Sequence, residues 1–558
     1  MKRIPYGITD YKFLITEDYY YVDKTMYLEK LENLSNKNIV YLKPRRFGKT
    51  LFTSMMYYYY DINSKNLYDD LYKNTYIYNH EKKKKNNYYI LKFDFSGMTV
   101  ISNNKDSIMN AFSEKIYNGI NDFIIHYNLN FEIDNNLFPA ELFGRFITYF
   151  KSLNLNNKIY IIIDEYDNFT NTILSSNMQM FKDIHGTEGF LKAFYARIKE
   201  NTGTVIDRVF ITGVCSISLD SMTSGFNIAS NITTDSMFNS MTSLTHEEVK
   251  KLINDMDVNN KDEVFKEMLE NYDGYCFNRR EQNLVFNPTL TMYYLNNLTS
   301  KGLPPEELLD SNILSSYDQI KNIISLGDYK EVIRDIFDND EIEVKLKENF
   351  NLNNNSLYKF EKEDIVSLLF YFGYLTIERL GYFGIVFRIP NKVIYEVFCS
   401  YFLEILKELE VKIDNNETNY GLIEMVEHGR INKISKVVSD VIEQDSFRDY
   451  IGMSESVIKH VYLTLLNGNN AFEIFSEQEV KKGYIDILFK NKSNFSKYNI
   501  LMELKYISKK NKNTYDKVLK DGYEQVNKYI EDKRLNKVNL KKYIVIFINS
   551  QYTITEVK

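Results

Sequence analysis

The run Lys158-Ile-Tyr-Ile-Ile-Ile-Asp-Glu165 constrains the fold more than any other segment. Its unbroken apolar stretch leaves no face for water, so a strand made from it must be covered on both sides. Strands of that kind belong to parallel sheets flanked by crossover helices. Two acids at the end then place carboxylates at the C-terminal edge of the sheet, where such sheets bind ligands.

The surrounding chain repeats the alternation. Ile39–Leu42, Tyr88–Phe95 and Asp207–Gly213 read as further strands, with helices predicted over 51–60, 106–127, 141–153 and 189–199. Strands alternating with helices imply an α/β fold with a parallel sheet. Thr245 and Glu248 form a capping-box pattern ahead of a helix over 246–256. Beyond it the pattern is mostly helical, broken at Gly302–Pro305, at the Asn-rich stretch 349–355 and near 414–419. The apolar stretch Ile365–Ile377 falls short of the ~20 residues a membrane span needs, and reads as buried core. The last unit reads as a helix over 454–466, strands over 472–477, 484–490 and 498–507, a helix over 513–530 and a strand over 542–549. The expected regions are 1–290, a mostly helical connection over 291–413, and 414–558. No repeat of fixed period is present.

Composition excludes several classes. Cys215, Cys276 and Cys399 lie too far apart for a disulfide framework or a CxxC knuckle, which fits a reducing compartment. The six histidines show no HExxH pairing, which argues against a zinc enzyme. Met1–Leu14 lacks the apolar core of a secretory signal. The expectation is an intracellular protein, cytoplasmic or nuclear, with no membrane partner. The 46 Tyr and 37 Phe beside no Trp are consistent with AT-rich codons and carry little functional weight. Charge is more informative. The formal total is −7, yet residues 481–558 hold 18 Lys and Arg against 8 Asp and Glu, a local balance of +10. That end is either a solvated surface or a face for phosphates, since lysines release counterions from nucleic acid.

The first strand runs into Lys43-Pro-Arg-Arg-Phe-Gly-Lys-Thr50 and then a helix. A phosphate-binding loop needs this strand–loop–helix setting. Backbone amides cradle the phosphates, Lys49 reaches the terminal ones, and the Thr50 hydroxyl holds Mg²⁺. The first glycine of the usual pattern is replaced by Lys43. The acidic strand supplies the complement: Asp164 for the magnesium and Glu165 to polarise the attacking water. Arg45 and Arg46 are placed either as phosphate contacts or as loop salt bridges. Thr212, at the end of the next strand, is placed either to sense a terminal phosphate or to fill the core.

Several segments recur together in order: Ile4-Pro-Tyr-Gly7, Tyr21-Val-Asp-Lys-Thr25, Pro44–Thr50, Ile211–Ser218, Ser224–Ile228, and Tyr272-Asp-Gly-Tyr275 with Asn287-Pro288. In these the chain resembles the AAA-ATPase-like family over about residues 4–290. The resemblance implies a P-loop core of the additional-strand type with a small helical lid. It also implies ATP and Mg²⁺ as cofactors, held by Arg45, Arg46, Phe47, Gly48, Lys49, Thr50, Asp164 and Thr212. That family usually lacks the first loop glycine and often has Arg where this chain has Lys43. No arginine finger is identifiable, and a ring or dimer is worth testing.

The last unit contains Gly483-Tyr-Ile-Asp486 and, one strand later, Met502-Glu-Leu-Lys505. Residues two apart on a strand share a face, so Glu503 and Lys505 point the same way. With Asp486 beside them, two carboxylates and an ammonium could hold Mg²⁺ and steady a phosphodiester under attack. The order of elements resembles the PD-(D/E)XK nuclease superfamily, a usual companion of the AAA-ATPase-like family. Ser454-Glu455, Ser476–Glu479 and Glu524-Gln525 fall where that domain has similar residues. By this likeness Asp486 and Glu503 are metal ligands, Lys505 is the catalytic lysine, and Glu455 and Gln525 are auxiliary. Two readings follow: an ATPase governing a metal nuclease that acts on nucleic acid, or a nucleotide-switched module whose nuclease-like domain only binds nucleic acid or protein.

Overall fold

The computed structural model describes residues 2–558 except 81–83, 99–104, 169–188, 217–225, 281, 306, 310–331, 333–334, 337–340, 349, 351–359, 409, 445–446, 448–452, 481–482, 493–494, 509–513, 532–534 and 536–538. Ile217–Ser218, Ser224–Gly225 and most of the Asn-rich stretch therefore lie outside the described residues. The chain divides into two compact units, one of residues 1–329 with 343–393, the other of 330–342 with 394–558.

In the first unit, strands β1 (Asn38–Leu42), β2 (Tyr88–Asp94), β3 (Lys158–Asp164), β4 (Ile206–Gly213) and β5 (Ser230–Asn231) form one sheet. Their order is β2-β3-β4-β1-β5 and every pairing is parallel. β4 thus lies between the strand that feeds the Gly-Lys-Thr loop and the strand that ends in acids. All three C-terminal ends line up at the place where chain order reverses, the usual ligand position of such sheets. Helix α1 (Lys49–Tyr60) follows the loop, and α2 (Lys105–His126), α3 (Pro139–Ser152) and α4 (Phe190–Asn201) complete the crossovers.

Tyrosine builds much of this core. Tyr11, Tyr41, Tyr59, Tyr60, Tyr72 and Tyr88 are buried in one cluster with Met55, Met56 and Phe210. A buried phenol needs a partner for its hydroxyl. Tyr72 donates to the Met55 carbonyl at 2.7 Å, Tyr11 to the Leu71 carbonyl at 2.9 Å and Tyr88 to Asp207 at 2.7 Å. The tyrosine excess therefore has a structural use, whatever its origin in codon composition.

Helices α5 (His246–Asn254), α6 (Lys261–Tyr272) and α7 (Pro288–Lys301) follow the sheet. Thr245 and Glu248 form the expected capping box, and Glu248 also holds Lys24 at 2.7 Å. The connecting region is not helical throughout. It contains β6 (Glu341–Val344), α8 (Lys362–Tyr371), β7 (Thr376–Leu380) and β8 (Ile385–Arg388), the strands lying in the order β6-β8-β7. The apolar run 365–377 is buried as expected, but it is split between α8 and β7. Gly373 makes the break, at φ +83 and with Pro44 where a Cβ would sit.

Helices α9 (Lys392–Glu408), α10 (Asn415–His428), α11 (Asn432–Glu443) and α12 (Glu455–Leu465) lead into a second sheet of β9 (Phe472–Val480), β10 (Gly483–Asn491), β11 (Asn499–Ile507), β12 (Leu540–Ile548) and β13 (Gln551–Glu556). Its order is β13-β12-β11-β10-β9. Only β11 and β12 run parallel, with α13 (Tyr515–Tyr529) as their crossover. β5, β6, β7, β8 and β13 are additions to the sequence reading.

Replacing Tyr72 with Phe keeps the ring and removes one buried hydrogen bond. The expected loss is about 1 kcal/mol, against about 3–5 kcal/mol for Tyr72→Ala. Denaturant unfolding of the N-terminal unit measures the difference; no loss in Tyr72→Phe would mean the hydroxyl contact contributes nothing.

Candidate functional site

The loop between β1 and α1 is shaped by its neighbours before any ligand arrives. Gly48 sits at φ +74, and a Cβ there would lie 3.0 Å from the Thr242 carbonyl. Arg46 is also left-handed, at φ +65, with its carbonyl accepting from the Thr289 hydroxyl at 2.6 Å. Phe47 is buried edge-on between Tyr275 and Phe277, with ring centroids 5.0 and 5.5 Å away. Lys43, in the place of the missing glycine, is 1% exposed. Its ammonium lies 3.5 Å from the Phe277 ring centroid and 3.3 Å from the Asn239 carbonyl, and burial pushes its pKa well down.

Lys49 folds back onto its own loop, donating to the carbonyls of Lys43 at 2.9 Å and Pro44 at 2.8 Å. Burial lowers its pKa, while Glu165 and Asp164 favour its charge. Asp164 is fully buried at the end of β3. One oxygen accepts from Thr53 at 3.0 Å, one helical turn beyond Thr50, and the other from the Glu165 amide at 3.1 Å. Burial raises the pKa of both acids; Lys49 pulls against it in each. Glu165 adopts φ +51, an uncommon conformation for a residue with a side chain. Thr212 is fully buried, its hydroxyl without a partner among the described residues.

A cavity of about 420 Å³ opens over this loop. Its lining includes Arg45, Arg46, Lys49, Thr50, Glu165 and Asn168. Pro5, Ile8, Tyr21, Met241, Leu244 and Met292 line it as well. The lining thus joins charged side chains to apolar ones. Asp164, bonded to the Thr53 hydroxyl one turn beyond Thr50, and the neighbouring Glu165 offer the hard oxygen donors that suit Mg²⁺.

The second site begins where a ladder stops. β10 and β11 pair at Ile487–Met502, Leu488–Leu501 and Phe489–Ile500. Past that point the β11 amides turn to side chains. Leu504 N–H donates to Asp486 at 2.7 Å and Tyr506 N–H to Glu455 at 3.2 Å. The Lys505 ammonium then lies 2.8 Å from Glu503, 3.5 Å from Glu455 and 3.8 Å from Asp486. Glu503 is 1% exposed, with its second oxygen lacking a partner among the described residues. Burial and then the Asp486 charge push its pKa up to about 8. Burial opposes the charge on Lys505, but Asp486, Glu503 and Glu455 together outweigh it and hold its proton more firmly.

Among the described residues no three His, Cys, Asp or Glu side chains come close enough to hold a metal between them. The convergence is of carboxylates on a lysine. Asp486 and the orphaned oxygen of Glu503 still fit Mg²⁺, which takes one or two carboxylates and keeps its waters. Gln525 has its amide oxygen buried without a partner among the described residues. Ser476 is described on β9, whereas the side chains of Glu477–Glu479 are not.

Comparison with known families finds a match over each region that carries one of these sites. Residues 5–223 match the family model described as Predicted AAA-ATPase, and residues 453–557 match the PD-(D/E)XK nuclease superfamily. The chain carries one domain of each kind. No curated protein matches it. Among the described residues no helix is long and apolar enough to cross a membrane.

Four residues of the AAA-ATPase-like site went unread in the sequence. Thr53 bonds Asp164, and Asp94 pairs beside it across β2 and β3. Asp167, fully buried, accepts from the amides of Val214 and Cys215 at distances down to 2.7 Å. Asn168 receives Arg45 at 3.1 Å. Position in an acidic turn, Asp164-Glu-Tyr-Asp-Asn168, was the available signal.

Glu503 offers a test of the PD-(D/E)XK site. Its raised pKa means it holds a proton from the ordinary carboxylate range up to about 8, so a bound metal must displace that proton. Calorimetry with Mg²⁺ or Mn²⁺ should show about one proton released per metal at neutral pH, and affinity rising about tenfold per pH unit towards that pKa. The folded state binds the extra proton across this window, so Glu503 costs stability as pH rises through it. Glu503→Gln should abolish metal binding and raise the metal-free Tm above pH 8 by about 2–4 °C. Metal affinity indifferent to pH would contradict the arrangement.

Proposed function

We propose that the chain hydrolyses ATP in its AAA-ATPase-like domain and cleaves nucleic-acid phosphodiesters in its PD-(D/E)XK domain. The observation that carries this reading is the presence of a full set of charged groups at each sheet edge. Lys49 and Glu165 line one cavity, with Asp164 buried close enough to act on the charge of Lys49, and Asp486 and Glu503 meet at the Lys505 ammonium.

In the first domain the apolar lining of the cavity takes the base and its charged side chains take the phosphates. Lys49 leaves the loop carbonyls for the terminal phosphates, and the loop amides bind the others. Glu165 orients the attacking water and accepts its proton, which passes on to the released phosphate. Mg²⁺, held by Thr50 and Asp164 in one site and by Asp486 and Glu503 in the other, would neutralise phosphate charge and lower the pKa of a bound water.

In the second domain Lys505 positions the water or steadies the phosphorane charge, while Glu455 holds the β11 backbone in place. Water adds to phosphorus as the bond to the leaving sugar oxygen breaks, and that oxygen leaves with the electron pair and is protonated. The +10 balance of residues 481–558 supplies cations for the rest of the polynucleotide backbone.

A cleavage assay across metals, nucleotides and salt tests the proposal. Lys505→Ala or Asp486→Asn should reduce cleavage by about 10³-fold or more, and Lys49→Ala should abolish ATP binding. The ATPase pH profile should lose activity on its acid side above the ordinary Glu range near ~4.3, because burial raises Glu165 and its ionised form is the base. Glu165→Gln should remove both that limb and most turnover.

Nucleic acid that stays intact under every metal and nucleotide condition would leave the second reading, a nucleotide-switched binding module. The observation favouring it is that the Lys505 ammonium is shared among Glu503, Glu455 and Asp486.

A further inference from the structure

ATP hydrolysis develops negative charge on the γ-phosphoryl oxygens and on the oxygen bridging to ADP, and an arginine commonly stabilises it. The arginine can come from the same chain or from a partner. Here Arg45 and Arg46 are the arginines that line the cavity among the described residues. They are not equivalent. Arg46 is exposed, on the left-handed residue where the loop reverses. Arg45 is half-buried, and its guanidinium donates to the Asn168 side-chain oxygen at 3.1 Å.

Asn168 belongs to the turn that aims Glu165. Its backbone N–H donates to the Glu165 carbonyl at 3.0 Å, and its side-chain NH₂ reaches the Phe95 carbonyl at 3.3 Å. Asn168 therefore spans from the end of β2 to the phosphate loop through the turn that carries the acid. The remaining arginines of this unit are engaged elsewhere where contacts are described. Arg208 is buried against the carbonyls of Leu31 and Glu32, Arg145 pairs with Asp134, and Arg197 with Glu200.

We propose that Arg45 is a catalytic residue supplied in cis, held by the positioning residue Asn168 until a nucleotide draws it onto the γ-phosphoryl group. The proposal rests on the ATP-hydrolysis reading. The water oxygen bonds to the γ-phosphorus as the bond from γ-phosphorus to the bridging oxygen breaks. ADP leaves with that electron pair, and the water proton passes through Glu165 to the inorganic phosphate. Arg45 stabilises charge on the γ and bridging oxygens while this happens. The same turn that sets Glu165 also sets the starting point of Arg45, so acid and cation arrive together. A second consequence follows: turnover needs no arginine from another copy.

The test uses the full chain, with fluorescent ATP binding, turnover and trapping of ADP with aluminium fluoride measured side by side. Arg45→Ala should weaken ATP binding far less than Lys49→Ala does, lower kcat by about 10²–10³-fold and fail to trap ADP with aluminium fluoride. Arg45→Lys, which keeps the charge but not the planar fork, should recover a small part of kcat. Asn168→Ala should lower kcat by about tenfold or less with trapping retained, as expected of a residue that only positions. Specific activity should stay constant on dilution.

Unchanged kcat and trapping in folded Arg45→Ala and Arg45→Lys would overturn the assignment. So would specific activity that rises with protein concentration and is rescued in Arg45→Ala by mixing with a second, Lys49→Ala copy. Failure of the wild type to bind ATP would instead remove the nucleotide reading itself. Lys49→Ala separates the two cases, because it loses binding where Arg45→Ala keeps it.

Discussion

A carboxylate sealed from water must spend its charge on donors nearby, and Asp167 spends it on the backbone of another strand. By taking the amides of Val214 and Cys215 it ties the turn after β3 to the chain leaving β4. Tyr166 reinforces the tie, with its amide on the Thr212 carbonyl and its hydroxyl on the Cys215 carbonyl. The uncommon backbone of Glu165 persists because both sides of it are held. Asn168 then extends the same turn to the phosphate loop. The geometry of the AAA-ATPase-like site is thus an outcome of how three parallel strands end.

The PD-(D/E)XK site reaches a similar result from a different kind of sheet. An antiparallel ladder normally consumes the amides between two strands. Beyond Ile487 and Met502 the β11 amides instead meet Asp486 and Glu455, and the gap admits Lys505 and Glu503. In both domains acidic side chains complete backbone hydrogen bonding that the sheet leaves open. Those contacts orient the acids, while burial makes ionisation of Asp164, Glu165 and Glu503 harder than usual.

Much of this was legible in the chain itself. The apolar run ending at Asp164-Glu165 implied a covered parallel strand, and strand parity put Glu503 and Lys505 on one face. The residues that escaped notice act across long sequence distances. Thr53, Asp94, Asp167 and Asn168 have roles that depend on which strand ends lie side by side, and no local pattern encodes the insertion of β4 between β1 and β3. β5 is two polar residues, too short for any periodic signal. The hairpin of β7 and β8 was hidden because its first apolar residues continue those of α8. Periodicity cannot divide a helix from a strand inside one apolar run, and only Gly373 marks the boundary. The tyrosines carried the opposite lesson, since a composition that suggested drift proved to fill a core.

Lys43 shows why a consensus motif is a poor guide to repair. A glycine there would restore the familiar loop spelling, yet it would remove an aliphatic stem and ammonium packed against Phe277 and Asn239. It would also loosen the carbonyl that Lys49 rests on before a nucleotide arrives. The loop trades the freedom of a glycine for an anchor in the interior. Searches that demand the first glycine would pass over chains of this design, and engineers who reinstated it would be excavating the loop's foundation.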